Sequence, residues 1–154
     1  MKRILKLLPW KKCFYLSVTV LPLILICSFY GLYTNKFYFL KVDNYIFSLL
    51  IMVHLAFLHV LKRAGGDENS QLNLLRNLEF AMYAILPVYI FKLAETLYIL
   101  LTYFDYSEQV FPQTFLPAGG FILALQSFLI ILTLSAFQHR RIRIGSYTLD
   151  RIHE

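Results

Sequence analysis

Apolar residues fill four long runs, at 13–33, 44–61, 80–104 and 118–137, and polar residues collect between them. A hydrocarbon core takes roughly 20 apolar residues as α-helix, so each run predicts one transmembrane helix. The second is the shortest and needs tilt or local bilayer thinning. The first is too long for a secretory signal, and no small-x-small cleavage site follows it; it reads as a retained helix in which Pro22 predicts a kink. The connecting pieces are at most about 17 residues long, too short to bury a core of their own. The expected fold is therefore an all-α integral membrane protein: a single domain over 1–154 with four transmembrane helices, a tail at 138–154 and no soluble domain.

Composition agrees with the pattern. The chain is 58% hydrophobic and 16% charged, against about 25% charged in ordinary soluble domains. The net charge of +6 does not imply direct nucleic-acid binding, because the basic residues stand beside the apolar runs, where membrane orientation requires them. The N-terminus, the 62–79 loop and the tail together hold twelve Lys and Arg, whereas the 34–43 loop holds two and the 105–117 loop none. The positive-inside rule then puts both termini and the middle loop in the cytoplasm. Aromatic residues crowd the opposite ends of the runs (Tyr30, Tyr33, Phe37, Tyr38, Phe39, Tyr45, Tyr103, Phe104 and Tyr106) as an interfacial belt.

The loops carry less chemistry. Gly65–Glu68 match the four-letter core of the diguanylate cyclase signature, but the chain has no room for the α/β domain in which that signature is a hairpin. Gly65 and Gly66 end the second helix, and Ser70 can cap a new one. Leu72, Leu75 and Leu78 then follow helical spacing, so the third helix is expected to project beyond the membrane. One reading of this stretch is a solvated turn with an interfacial half-turn. The other is a docking surface for a cytoplasmic protein, formed by Leu72, Leu75 and Arg76 with Arg140, Arg141, Arg143 and Tyr147 of the tail. The tail arginines equally suit contact with anionic lipid.

The informative residues are polar groups inside the runs. His54, Lys92 and Gln126 fall near the middle of the second, third and fourth spans, and Glu95 lies about 4.5 Å beyond Lys92 at 1.5 Å per residue. A mid-bilayer charge costs about 2.5–3.5 kcal/mol on insertion scales. Lys92 and Glu95 stand one helical turn apart and can partly neutralise each other. Their common face should therefore point into the bundle, toward His54 and Gln126. Such a layer serves either as interhelical glue, at about 0.6–2 kcal/mol per hydrogen bond, or as an ion path, a proton-sensitive switch or a ligand site. Gly120, Ala124 and Ser127 form a small-residue edge on the fourth span, suited to close helix packing within the bundle or between copies in a homo-oligomer.

Enzyme chemistry has no candidate. The five-residue spacing of His54 and His59 keeps them off one helix face. Neither cysteine has metal-ligand spacing, and no cofactor or metal is expected. There is no nucleophile–base arrangement and no phosphate loop.

The order of elements resembles the small membrane subunits of two-gene phage-exclusion and defence systems, such as the Rex and Kiwa systems. The likeness to the Rex subunit lies in a short basic loop, a third span bearing Glu95, and Leu116–Pro117 opening "LPAGGFILALQSF". Lys92 and the aromatic loop "KFYFLKVDNY" depart from it. The resemblance implies a bacterial inner membrane and infection sensing or membrane depolarisation, signalled to a soluble effector. The expected function is thus a non-enzymatic sensor or channel-like subunit, with a structural subunit of a larger membrane complex as the alternative.

Overall fold

The structure, a computed structural model, describes residues 9–40, 42–64, 69–106 and 111–145. Four helices make up nearly all of it: α1 (Trp10–Ser28), α2 (Val42–Arg63), α3 (Asn69–Asp105) and α4 (Phe115–Ile144). All four are long and apolar enough to cross a membrane. A small antiparallel hairpin joins α1 to α2, with β1 (Tyr30–Gly31) pairing β2 (Lys36–Phe37) in the register Tyr30 to Phe37 and Gly31 to Lys36. Asn35 makes the turn in left-handed backbone, φ 53°, a conformation asparagine tolerates better than most residues.

Each helix packs on its neighbours in sequence, and α1 closes the ring against α4. Short connections force the antiparallel order. The buried positions recur at alternating steps of three and four: Cys13, Ser17, Val20 and Ile24 on α1; Asn44, Phe47, Ile51, His54, Leu58 and Leu61 on α2; Leu129, Thr133, Ala136 and Arg140 on α4. On α3 a seven-residue interval carries Leu75, Met82, Tyr89 and Thr96. This is the seam of a coiled-coil-like bundle. The outside is apolar as well, with Leu49, Met52, Phe91, Leu101 and Phe121 all more than half exposed. A soluble monomer does not surround itself with such a surface; lipid accommodates it.

In lipid the backbone must satisfy itself, which the helical ladder does. The span hydroxyls follow suit. Ser17, Thr19, Ser48, Thr96, Ser127, Thr133 and Ser135 each donate to the carbonyl four residues earlier, which removes them as free reactive groups. α1 runs on through Pro22 and α3 through Pro87.

Two helices outrun their apolar stretches. α3 has 37 residues, roughly 55 Å, and α4 has 30, roughly 45 Å, against a hydrocarbon core of about 30 Å. α3 starts at Asn69, one residue before the expected cap Ser70. The tail, expected to leave the bundle at residue 138, stays helical to Ile144. Because α3 and α4 are antiparallel neighbours, their extensions lie at the same end and pack together. There Glu79 receives a hydrogen bond from Arg140 Nη2 and another from the Tyr83 hydroxyl at 2.9 Å. Arg140 Nη1 also donates to the Gly145 carbonyl at 3.1 Å. Both members of the ion pair are buried, their side chains only 9% and 3% exposed.

At the hairpin end, aromatic rings form two clusters. Phe37 of the hairpin stacks on Phe39, Phe39 meets Phe29 at a tilt, and Phe29 meets Tyr45 edge-on. Tyr33, Tyr103, Phe111 and Phe115 gather beside the start of α4. The expected aromatic belt is therefore also a set of ring contacts between neighbouring elements.

Candidate functional site

All four helices contribute to one cavity of about 290 Å³ below the hairpin. α1 supplies Cys27 and Ser28, α2 Asn44 and Phe47, α3 Lys92, Glu95 and Thr96, and α4 Leu125 and Gln126, with Tyr30–Tyr33 of the hairpin completing the wall. Lys92 Nζ donates to Glu95 Oε2 at 2.7 Å. The two side chains keep 29% and 38% of their surface and line the cavity rather than an apolar seam. Thr96 spends its hydroxyl on the Lys92 carbonyl at 3.0 Å, which leaves Lys92, Glu95, Asn44 and Gln126 as the groups able to receive something. Gln126 Oε1 is buried without a hydrogen-bond partner among the described residues.

The helices place these side chains through their seams. Asn44 opens the three-and-four series of α2, so it points inward although it sits at the helix start. Lys92 and Glu95 follow Tyr89 by three and six residues and precede the buried Thr96 by four and one. Gln126 precedes Leu129 by three. Asn44, Lys92, Glu95 and Gln126 thus stand in the phase that turns toward the cavity, as the cost of a lipid-facing charge demands.

His54 belongs to a different environment. It is fully enclosed, with Nδ1 3.2 Å from the Tyr89 hydroxyl and the ring stacked on Tyr89 at 5.8 Å. Its Nε2 has no partner among the described residues. It is not part of the cavity wall. The four residues of the expected polar layer therefore divide, with Lys92, Glu95 and Gln126 around the cavity and His54 one layer away, against Tyr89. Among the described residues no group of three or more His, Cys, Asp or Glu is placed to hold a metal.

The small-residue edge also divides. Gly120 and Ala124 face outward, and a Cβ at Gly120 would meet nothing within 4 Å. The close approach falls one residue earlier, where a Cβ on buried Gly119 would run into Leu100 Cδ2 of α3. Ser127 is half-buried and bonded within its own helix.

Of the docking candidates, Leu75 and Arg140 are buried inside the bundle, Leu72 and Arg76 are half-buried, and Arg141 and Arg143 are exposed. Tyr147 and Gly65–Glu68 lie outside the described residues. Trp10 packs edge-on against His139 at 5.6 Å, and the Arg143 guanidinium lies 5.5 Å from its ring. These contacts tie the start of α1 to the end of α4. No family model, no curated protein and no solved structure matches this chain.

Proposed function

We propose that this chain is a non-enzymatic sensor subunit of a phage-defence or exclusion system, embedded in a bacterial inner membrane with both termini cytoplasmic and acting with a cytoplasmic effector. The observation that carries the reading is the cavity: four helices converge on an ion pair and two amides at a depth where insertion penalises each charge. Glue needs no cavity, since two charges with nothing to receive pack closed around each other. A recognition site needs both the space and unspent hydrogen-bonding groups. The layer toward the other end favours a sensor over a pore within one chain, because Phe57, Leu58, Met82 and Leu132 are fully buried and apolar there. The buried Glu79–Arg140 pair offers the route by which α3 carries a change to the effector side, where Arg141 and Arg143 remain exposed for docking.

The test is to express the chain together with the gene beside it in a bacterial host and challenge the cells with phage. Survival and membrane potential are followed together. Phage resistance that requires both genes, accompanied by copurification of the soluble product with the membrane chain, is the expected outcome. Cells indistinguishable from a vector control, with no soluble product copurifying, refute the proposal.

A further inference from the structure

We infer that the cavity binds a compact, net-neutral zwitterion that carries a primary ammonium and an anionic carboxylate or phosphodiester a few bonds apart. This names the ligand class for the site of the proposed sensor and rests on that reading for its biological meaning.

The unspent groups define the class. Lys92 donates one of its three N–H bonds to Glu95, and Glu95 accepts through one of its two oxygens. Asn44 is only 6% exposed, lines the cavity and makes no side-chain hydrogen bond among the described residues. Gln126 presents a buried, unpartnered carbonyl oxygen. The cavity thus offers two acceptors suited to an ammonium, Glu95 and Gln126, and donors suited to an anion, Lys92 and Asn44. A ligand bearing both ends can exchange the single Lys92–Glu95 bond for charge-assisted bonds at each end.

Charge balance excludes the simpler alternatives. The wall is neutral as a whole, so a ligand of net charge would leave one charge of the Lys92–Glu95 pair or of its own without a counterpart. A quaternary ammonium has no N–H to give Glu95 or Gln126. Size sets the rest: 290 Å³ is the space of about ten waters at ~30 Å³ each, near the lower limit of small-molecule sites. A free amino acid and the headgroup of an ethanolamine phospholipid share this chemistry.

The experiment is calorimetric titration of the full chain in nanodiscs of pure phosphatidylcholine. The probes are γ-aminobutyrate and glycerophosphoethanolamine, with ethylammonium and acetate as single-charge controls. At least one zwitterion should bind, and each control should bind at least about tenfold more weakly, 1.4 kcal/mol. Lys92→Met with Glu95→Leu should abolish the binding. Gln126→Leu, which alters no charge, should weaken it by about tenfold or more while Trp10 fluorescence reports an unchanged fold. Repeating the titration in phosphatidylethanolamine nanodiscs separates the sources. Suppressed probe binding assigns a lipid headgroup and undiminished binding a free solute, and either supports the zwitterion. A single-charge control that binds equally well, or a folded wild type that binds neither zwitterion, overturns the inference. A wild type that binds no zwitterion yet protects against phage removes the ligand class and leaves the sensor. One that binds but never protects removes the sensor and leaves the ligand.

Discussion

Replacing Arg140 by leucine separates a buried structural pair from an ordinary interfacial one. Arg140 and Glu79 are almost completely enclosed, and Glu79 also accepts from Tyr83. Removing one partner of a buried pair costs about 3–5 kcal/mol, since the remaining charge is stranded; a solvent-exposed pair is worth about 0–1 kcal/mol. In the inserted but unfolded chain both side chains stand close enough to the membrane surface for their charges to reach the headgroups. That favourable reference state deepens the loss on folding without Arg140, while the retained Tyr83 bond to Glu79 offsets part of it. Arg140→Leu should therefore cost about 3 kcal/mol, the low end of the buried range. Glu79→Leu should cost about the same, and the double replacement much less than the sum, because a buried pair exchanged for packed apolar groups is often neutral or better. Titration with sodium dodecyl sulfate in mixed micelles gives the free energies, and the four proteins form a double-mutant cycle. Trp10, the chain's one tryptophan, packs on His139 beside Arg140, so its fluorescence reads the same joint. A loss below about 1 kcal/mol for Arg140→Leu, with additive behaviour in the double, would place the pair in water and refute the packed joint.

Gly119→Leu should destabilise the bundle by about 1–3 kcal/mol through overpacking against Leu100, whereas Gly120→Leu should leave the stability of the chain unchanged and reduce self-association if the outward edge meets a second copy. Denaturant titration and size in detergent read the two effects, and equal losses of stability would contradict the placement of the glycines. Tyr89→Phe removes the partner of His54 and should cost about 1–2 kcal/mol, with His54→Phe adding little to it; strict additivity in the same titration would show the contact to be idle. For topology, reporters fused at both termini and in the 65–70 loop should register cytoplasm and one at Glu108 the opposite side, and a periplasmic signal from the C-terminus would overturn the orientation.

Hydropathy was enough to read the four helices, because the bilayer leaves the backbone no other economical structure. The ends that meet at Glu79 and Arg140 were not legible in the same way. Glu79 and Arg140 stand just outside the apolar windows, and a charge at a run's edge reads as an interfacial anchor or an orienting residue. The signal lay in phase: Glu79 follows Leu75 by four and precedes Met82 by three, and Arg140 continues the interval of Leu129, Thr133 and Ala136. Depth predicted a single layer of His54, Lys92, Glu95 and Gln126, but depth carries no information on rotation about the bundle axis. Tyr89 occupies the turn between His54 and Lys92 and assigns the histidine to the packed core. Asn44 gives no signal by depth, because a polar residue at a span boundary looks solvated, while its seam phase turns it inward. Gly119 and Gly120 differ by one step of 100°, enough to exchange a packed face for an outward one, and composition is blind to that step.

The Lys92–Glu95 cavity is proposed as a working site rather than a way of tolerating charge. The direct measurement is phage survival in cells carrying Lys92→Met with Glu95→Leu, a replacement that removes the ion pair without stranding either partner, alongside the melting transition and particle size of the purified variant. The proposal predicts a protein that folds and assembles like the wild type and gives no protection. A folded variant of native size that protects as well as the wild type would reduce the pair to architecture and contradict it.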